Sequence, residues 1–208
     1  SEEYEPLNGW TYDQIIPEII NSSKPEYAAK NIVDAYVDAY QYEEEYTGFS
    51  ITYAAVETEK LEELYETLEE FSEELENGLA LEWNEINEAR KETERYEEND
   101  FLDLYHFADL IGQRVENKTL EEAANNVKKA VTEAVLYNKN WYCEREECSS
   151  ARSVENAHGM TIYFPDDGIQ SEYDEIEAGQ NKWSDFLDSF ALGYISEEEE
   201  TEKETNSM

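Results

Sequence analysis

Asn156-Ala157-His158-Gly159-Met160-Thr161-Ile162-Tyr163-Phe164-Pro165 is the most strand-like run in a chain otherwise crowded with glutamate. Thr161, Ile162, Tyr163 and Phe164 are β-branched or aromatic, Gly159 permits close backbone approach, and Pro165 withdraws a ladder donor where a strand would end. The apolar residues are consecutive rather than alternating. That pattern predicts a strand covered on both faces, an inner strand of a sheet with helices on each side.

The segments around this run read as its cover. On its N-terminal side, Thr119 is placed to cap a helix whose Leu120, Ala123, Ala124, Val127, Ala130, Val131, Ala134 and Val135 share one face and which continues to Tyr137-Asn138-Lys139. Asn140 to Glu155 is polar and holds both cysteines, so it reads as a surface excursion before the strand. On the C-terminal side, the Asp166-Asp167-Gly168 turn leads to Trp183, Phe186, Leu187, Phe190 and Leu192, the stripe of a last amphipathic helix.

Further upstream, Leu61, Leu64, Tyr65, Leu68, Phe71 and Leu75 predict a helix capped by Thr58 and stopped at Gly78. A second helical stretch runs from Leu79 towards Tyr96. Gly48 and the alternation across Phe49–Val56 predict another strand. Pro25 opens a helix faced by Tyr27, Ala28, Ile32, Val33, Tyr36 and Tyr40, and Ile15, Ile16, Ile19 and Ile20 form a short helix kinked at Pro17. No internal repeat is evident. The expectation is one α/β body over residues 1–196, mostly helical at about 59–138, followed by a disordered acidic tail at 197–208.

The chain has 208 residues, enough for one core. Acidic residues number 53 against 15 basic, a formal charge of −38. This balance excludes nucleic acid as a partner, because phosphate contacts need Lys and Arg to displace counterions. It also repels anionic membranes and draws in cations and basic peptides, although a solvated acidic shell accounts for the same composition. No apolar run is long enough to span a membrane, and no basic-then-apolar start marks a signal peptide. Ser1 is not an initiator residue, so the chain reads as part of a longer protein.

The chemistry-bearing residues are few. A thiolate nucleophile needs a nearby histidine, and the chain offers His106 and His158 with Cys143 and Cys148. Glu144, Glu146 and Glu147 flank the cysteines and would raise their pKa. A local disulfide or two surface thiols is the expectation. Zinc is disfavoured, because Cys-x4-Cys is long for a zinc loop and the histidines are far apart. Calcium is possible: Asp166-Asp167-Gly168 offers oxygens, but no Asp-x-Asp-x-Asp-Gly loop ending in Glu is present, and no cofactor is required by the sequence. Tyr4, Tyr12, Tyr27, Tyr36, Tyr40, Tyr42, Tyr46 and Tyr53 fall at helical and strand spacing, as packing residues rather than a ligand-stacking surface.

Asn156 to Pro165 resembles the Asn-Gly-Leu-Ser-Ile-Tyr-Phe-Pro signature of clostripain-like cysteine peptidases, relatives of caspases and gingipains. Other segments resemble the family in the same order. Ser1-Glu2-Glu3, Gly9-Trp10 and Tyr12-Asp13 are similar to the family's segment just after the catalytic cysteine. Ser50 to Leu75 looks like the family's strand-and-helix pair, and Ala89-Arg90 followed by Asp103-Leu104-Tyr105-His106-Phe107-Ala108 resembles an Ala-Arg and Asp-Leu-Tyr-Asp-Phe-Ala order. His106 stands where many relatives carry Asp, which argues against a functional histidine there.

The resemblance implies a caspase-like three-layer α/β sandwich, of which this is the C-terminal part with an added helical subdomain. It implies a Cys-His dyad upstream, cleavage of protein or peptide substrates after Arg or Lys, and assembly with the N-terminal catalytic part of the same protein. In such enzymes the catalytic His-Gly follows its strand, whereas His158-Gly159 precedes one, so no catalytic residue is expected in this chain. Glu2, Glu3 and Glu5 would lie near the cleft and form an acidic rim for a basic side chain, although Asn8 stands where relatives often carry an acid. Export to the cell surface or beyond is implied in the same way. The rival expectation is a peptidase-like acidic binding module without catalysis.

Overall fold

In a computed structural model of the chain, the described residues are 12–42, 50–96, 99–142, 153–166, 168–170, 173 and 181–205. For Tyr40, Tyr42 and residues 194–205 the backbone alone is described. The elements are α1 (Tyr12–Asn21), α2 (Pro25–Tyr42), β1 (Ile51–Val56), a 3₁₀ turn (Thr58–Lys60), α3 (Leu61–Glu92), β2 (Phe101–Asp103), α4 (Leu104–Arg114), α5 (Lys118–Ala134), β3 (Val135–Trp141), β4 (Thr161–Tyr163) and α6 (Lys182–Thr205).

Among the described residues the strands form two separate antiparallel ladders. β1 pairs with β3, Ile51 opposite Trp141 and Val56 opposite Val135, and β2 pairs with β4, Phe101 opposite Tyr163 and Asp103 opposite Thr161. Among the described residues β4 pairs with β2 alone, which corrects the reading of 156–165 as an inner strand, while both its faces are covered, at Ile162 and at Tyr163. Only three residues of that run are extended, and Thr161 is exposed. Its consecutive apolar residues have another cause: Phe164 leaves the strand and enters an aromatic cluster, edge-on to Phe107, Trp183, Phe186 and Phe190. Trp183 Nε1 ties α6 to the strand by donating to the Tyr163 carbonyl at 2.7 Å.

The main core lies where α3, α4, α5 and α6 meet the β2–β4 ladder, around Phe71, Leu75, Ile86, Phe107, Ile111 and Val127. α3 is one helix of 32 residues and does not stop at Gly78. That glycine marks a close approach: a Cβ there would come within 3.3 Å of Leu120 Cδ2 on α5. Glu82, one turn further, is buried and its Oε1 accepts from the backbone N–H groups of Glu116 (3.0 Å) and Asn117 (2.9 Å), so α3 fixes the start of α5. The cap of α5 is Asn117, whose side chain accepts from Thr119 N and Leu120 N, rather than Thr119 itself.

α5 passes into β3 at Ala134–Val135 with no loop between them. The helical period expected to persist to Lys139 ends here, and the side chains alternate at a period of two. Tyr137 and Lys139 face α2, with Tyr137 Oη donating to Asp34 (2.9 Å) and Lys139 pairing with Asp34 (3.1 Å) and Asp38 (2.7 Å). Asn138 and Asn140 face the other way, donating to the carbonyls of Ala157 and Val154. These partners, two carboxylates on one side and two loop carbonyls on the other, favour the strand over another turn of helix. At the C-terminus, α6 runs through Thr205, into the stretch expected as a disordered tail; glutamate is a good helix former, and the helix is already nucleated by its buried first turns.

Gly159 has φ +89, and a Cβ there would lie 2.6 Å from that of Ala54. Both the backbone conformation and the contact reject a side chain. Gly159→Ala is therefore expected to lower stability by about 2–3 kcal/mol, read as a lower urea midpoint at unchanged slope.

Candidate functional site

Asp103 is the last residue of β2 and the N-cap of α4, and it is completely buried. A lone carboxylate there would be costly, so its partners define the site. Oδ1 accepts from His106 N at 2.8 Å and lies 3.1 Å from His158 Nδ1. Oδ2 accepts from Tyr96 Oη at 2.8 Å and from His158 N at 2.7 Å. One carboxylate thus joins the 94–96 segment, the start of α4 and the loop before β4.

A second acid completes the knot. Glu94 accepts at Oε2 from Asn156 N (3.2 Å) and Nδ2 (3.1 Å), and its own backbone N–H donates to His106 Nδ1 at 3.0 Å. Burial holds the Glu94 carboxyl above its ordinary pKa, against the two Asn156 hydrogen bonds. His158 stacks on Tyr105, ring centroids 4.1 Å apart and planes 21° apart, and keeps 38% of its side chain exposed. Burial opposes a proton on His158, but the hydrogen bond and charge of Asp103 outweigh it and hold the imidazole above its ordinary pKa. His106 is moved the other way, because burial is not offset by Asp103 and His158 adds a like charge.

At the far end of β4, Asp166 pairs with Arg90 and, through both oxygens at 2.9 and 3.2 Å, with Arg95. The buried Arg90 guanidinium also donates to the Pro165 carbonyl and lies 4.8 Å from the Phe164 ring centroid. Beside it is a cavity of about 560 Å³ with Phe164, Ile169, Leu187 and Phe190 in its wall.

The model of the clostripain peptidase family matches residues 1–200. The chain belongs to the clostripain family. It is thus a member of a cysteine peptidase family, in which proteins are the substrates. A solved structure of a B. fragilis cysteine protease is similar in fold, with a TM-score of 0.58 and 18% identity over 86% of this chain and 73% of that one. No curated protein matches the chain.

In this clostripain-family chain the buried Asp103 carboxylate holds His158 through both its backbone N–H and its Nδ1. Cys143 and Cys148, the only cysteines of the sequence, lie outside the described residues, as do Glu2, Glu3 and Glu5 of the expected acidic rim. Of the calcium candidates, Asp166 has its carboxylate taken by two arginines and Asp167 lies outside the described residues. Among the described residues no group of three or more His, Cys, Asp or Glu side chains could hold a metal ion, and no helix is long and apolar enough to cross a membrane. Tyr36 is buried against Tyr53, as expected of packing tyrosines, whereas Tyr12 and Tyr27 are exposed. Sequence reasoning passes over Asp103 and Glu94 as site residues and sets His106 aside as a departure from an aspartate position. The signal for Asp103 is its place as an N-cap directly after a strand.

Proposed function

We propose that this chain is the C-terminal, non-dyad part of a clostripain-like cysteine endopeptidase that cleaves proteins after arginine or lysine. The observation that carries the reading is how the chain's two histidines are engaged. His106 Nδ1 accepts a backbone N–H from Glu94, and His158 Nδ1 lies on a fully buried aspartate in a loop that enters β4 rather than leaving it. Both serve the packing of the fold, so the imidazole of the dyad belongs to the N-terminal catalytic part of the same protein. Hydrolysis by thiol and imidazole requires no cofactor.

In the assembled enzyme the two ladders extend a larger central sheet, giving a caspase-like three-layer body. The open apolar side of α1, where Tyr12, Ile16, Ile19 and Ile20 are exposed, is the face on which the catalytic part docks. Glu2, Glu3 and Glu5 supply carboxylates at the substrate rim, and the enzyme works outside the cell or at its surface.

The test is covalent labelling of the complete protein by an arginyl or lysyl chloromethyl ketone, with the labelled cysteine mapped. Modification of a cysteine upstream of Ser1 supports the reading. The Asp103–His158 pair favours a second one, in which His158 serves a cysteine of this chain, and label on Cys143 or Cys148 would establish it. Complete absence of label would make the protein a non-catalytic acidic module. For the rim, changing Glu2, Glu3 and Glu5 together to glutamine is expected to lower kcat/KM for arginyl peptides about tenfold relative to neutral ones, from lost charge-assisted contacts. Unchanged selectivity would remove these residues from the site.

A further inference from the structure

The loop 153–160 buries Val154 and Ala157 against Tyr96 and is tied to the β2–α4 junction by polar bonds, and two of the groups involved are imidazoles wired in opposite senses. His158 Nδ1 faces an acceptor, Asp103, so protonation of the ring turns that contact into an ion pair. His106 Nδ1 is itself the acceptor, for Glu94 N–H, so protonation places a hydrogen against a hydrogen. We propose that His106 and His158 together form a two-sided pH clamp, which locks the 153–160 loop onto the β2–α4 junction around neutrality and loosens it in both acid and alkali.

The surroundings favour this assignment. His158 meets Asp103 from β2, and from α4 it meets the Tyr105 ring, His106 and Asp109; Lys128 of α5 lies 5.6 Å from the centroid of the same tyrosine ring and pairs with Asp109. His106 faces Asp103, Asp109 and Glu92 as well as His158. The loop itself is bonded through His158 N and Nδ1 to Asp103, through Asn156 to Glu94, and through the Met160 carbonyl, which accepts from Leu104 N.

The pKa directions agree with the geometry. His158 is raised, so its contribution is complete below the ordinary imidazole value of about 6.5 and is lost as pH rises through its folded pKa. His106 is lowered, so its contribution is complete above that value and is lost as pH falls through its folded pKa. Glu94 is raised and favours the folded state in acid, the opposite of what an acid-side loosening needs.

Amide hydrogen exchange of peptides covering 153–160, corrected for the intrinsic pH dependence of exchange, tests the clamp on the chain as it stands. Protection is expected to peak between pH ~6 and ~7, the range in which imidazoles change state. It should fall roughly tenfold towards pH ~5, where a buried hydrogen bond is lost, and roughly threefold towards pH ~8.5, where a charge is lost and the bond remains. His106→Gln, whose amide oxygen can still accept from Glu94 N–H, is expected to keep protection in acid. His158→Gln, which can still donate to Asp103, is expected to show no alkaline decline. Both declines persisting in both variants would overturn the proposal. Independently of any variant, ring-proton NMR titration of the unmodified chain should give His158 a midpoint above that of His106, and coincident midpoints would overturn it equally.

Discussion

Asp103→Asn should cost about 3–4 kcal/mol of folding free energy, although the side chain keeps its shape. Every polar neighbour of this carboxylate offers it a hydrogen: His106 N and His158 Nδ1 at one oxygen, Tyr96 Oη and His158 N at the other. Whichever end the amide nitrogen occupies, it opposes two donors at a completely buried position. Urea unfolding followed by circular dichroism measures the loss. The same variant should lower the His158 midpoint, because the hydrogen bond and the charge that chiefly offset burial are lost. A loss below about 1 kcal/mol would mean that the carboxylate is not the joint of the three segments it touches.

Trp183→Ala should be comparably damaging, at about 3–5 kcal/mol, by leaving a cavity in the centre of the aromatic cluster. The indole is 1% exposed, meets Phe107 and Phe164 edge-on at 6.2 and 5.4 Å, and lies 5.0 Å from Phe186. Trp183→Phe separates the two contributions of the residue. It retains most of the volume but loses the hydrogen bond to the Tyr163 carbonyl, leaving a buried acceptor unpaired at a cost of about 1–2 kcal/mol. If the two variants are equally stable, the cluster does not anchor α6.

The parts of the fold visible in the sequence are those where one face of one element decides the residues. The stripes of α3, α5 and the first turns of α6 stand at helical spacing, and β1 is marked by its β-branched and aromatic residues, although it is covered on both faces, at Ile51 and at Thr52. The features that escape a reading of the sequence do so for particular reasons. Gly78 has the look of a helix terminator, but the absence of its side chain serves the approach of Leu120 from another helix, a fact of tertiary packing. The start of β3 is hidden because Val135 continues the apolar stripe of α5, and the partners that turn the chain into a strand, Asp34, Asp38 and the carbonyls of 154 and 157, are distant in sequence. Phe164 contributes to the impression of an inner strand while belonging to an aromatic cluster with α6.

The candidate site is legible only in part, for a similar reason. His158 draws attention as a possible base, and its position before a strand argues against that role. Nothing local announces that the carboxylate waiting for it is 55 residues earlier. His106 looks like a departure from an aspartate position with no consequence, yet its ring is the acceptor for a backbone group of the preceding segment. Buried acids find their partners through the fold, and the linear chain records only that an acid is present.

The direct passage from α5 to β3 makes chain length at one peptide unusually consequential. With no slack at Ala134–Val135, inserting a single residue there would invert the parity of the whole ribbon. Lys139 would be carried to the side of the loop carbonyls, and the two asparagines would be turned towards the acids of α2. One codon added at that joint would exchange the inner and outer faces of seven residues at once.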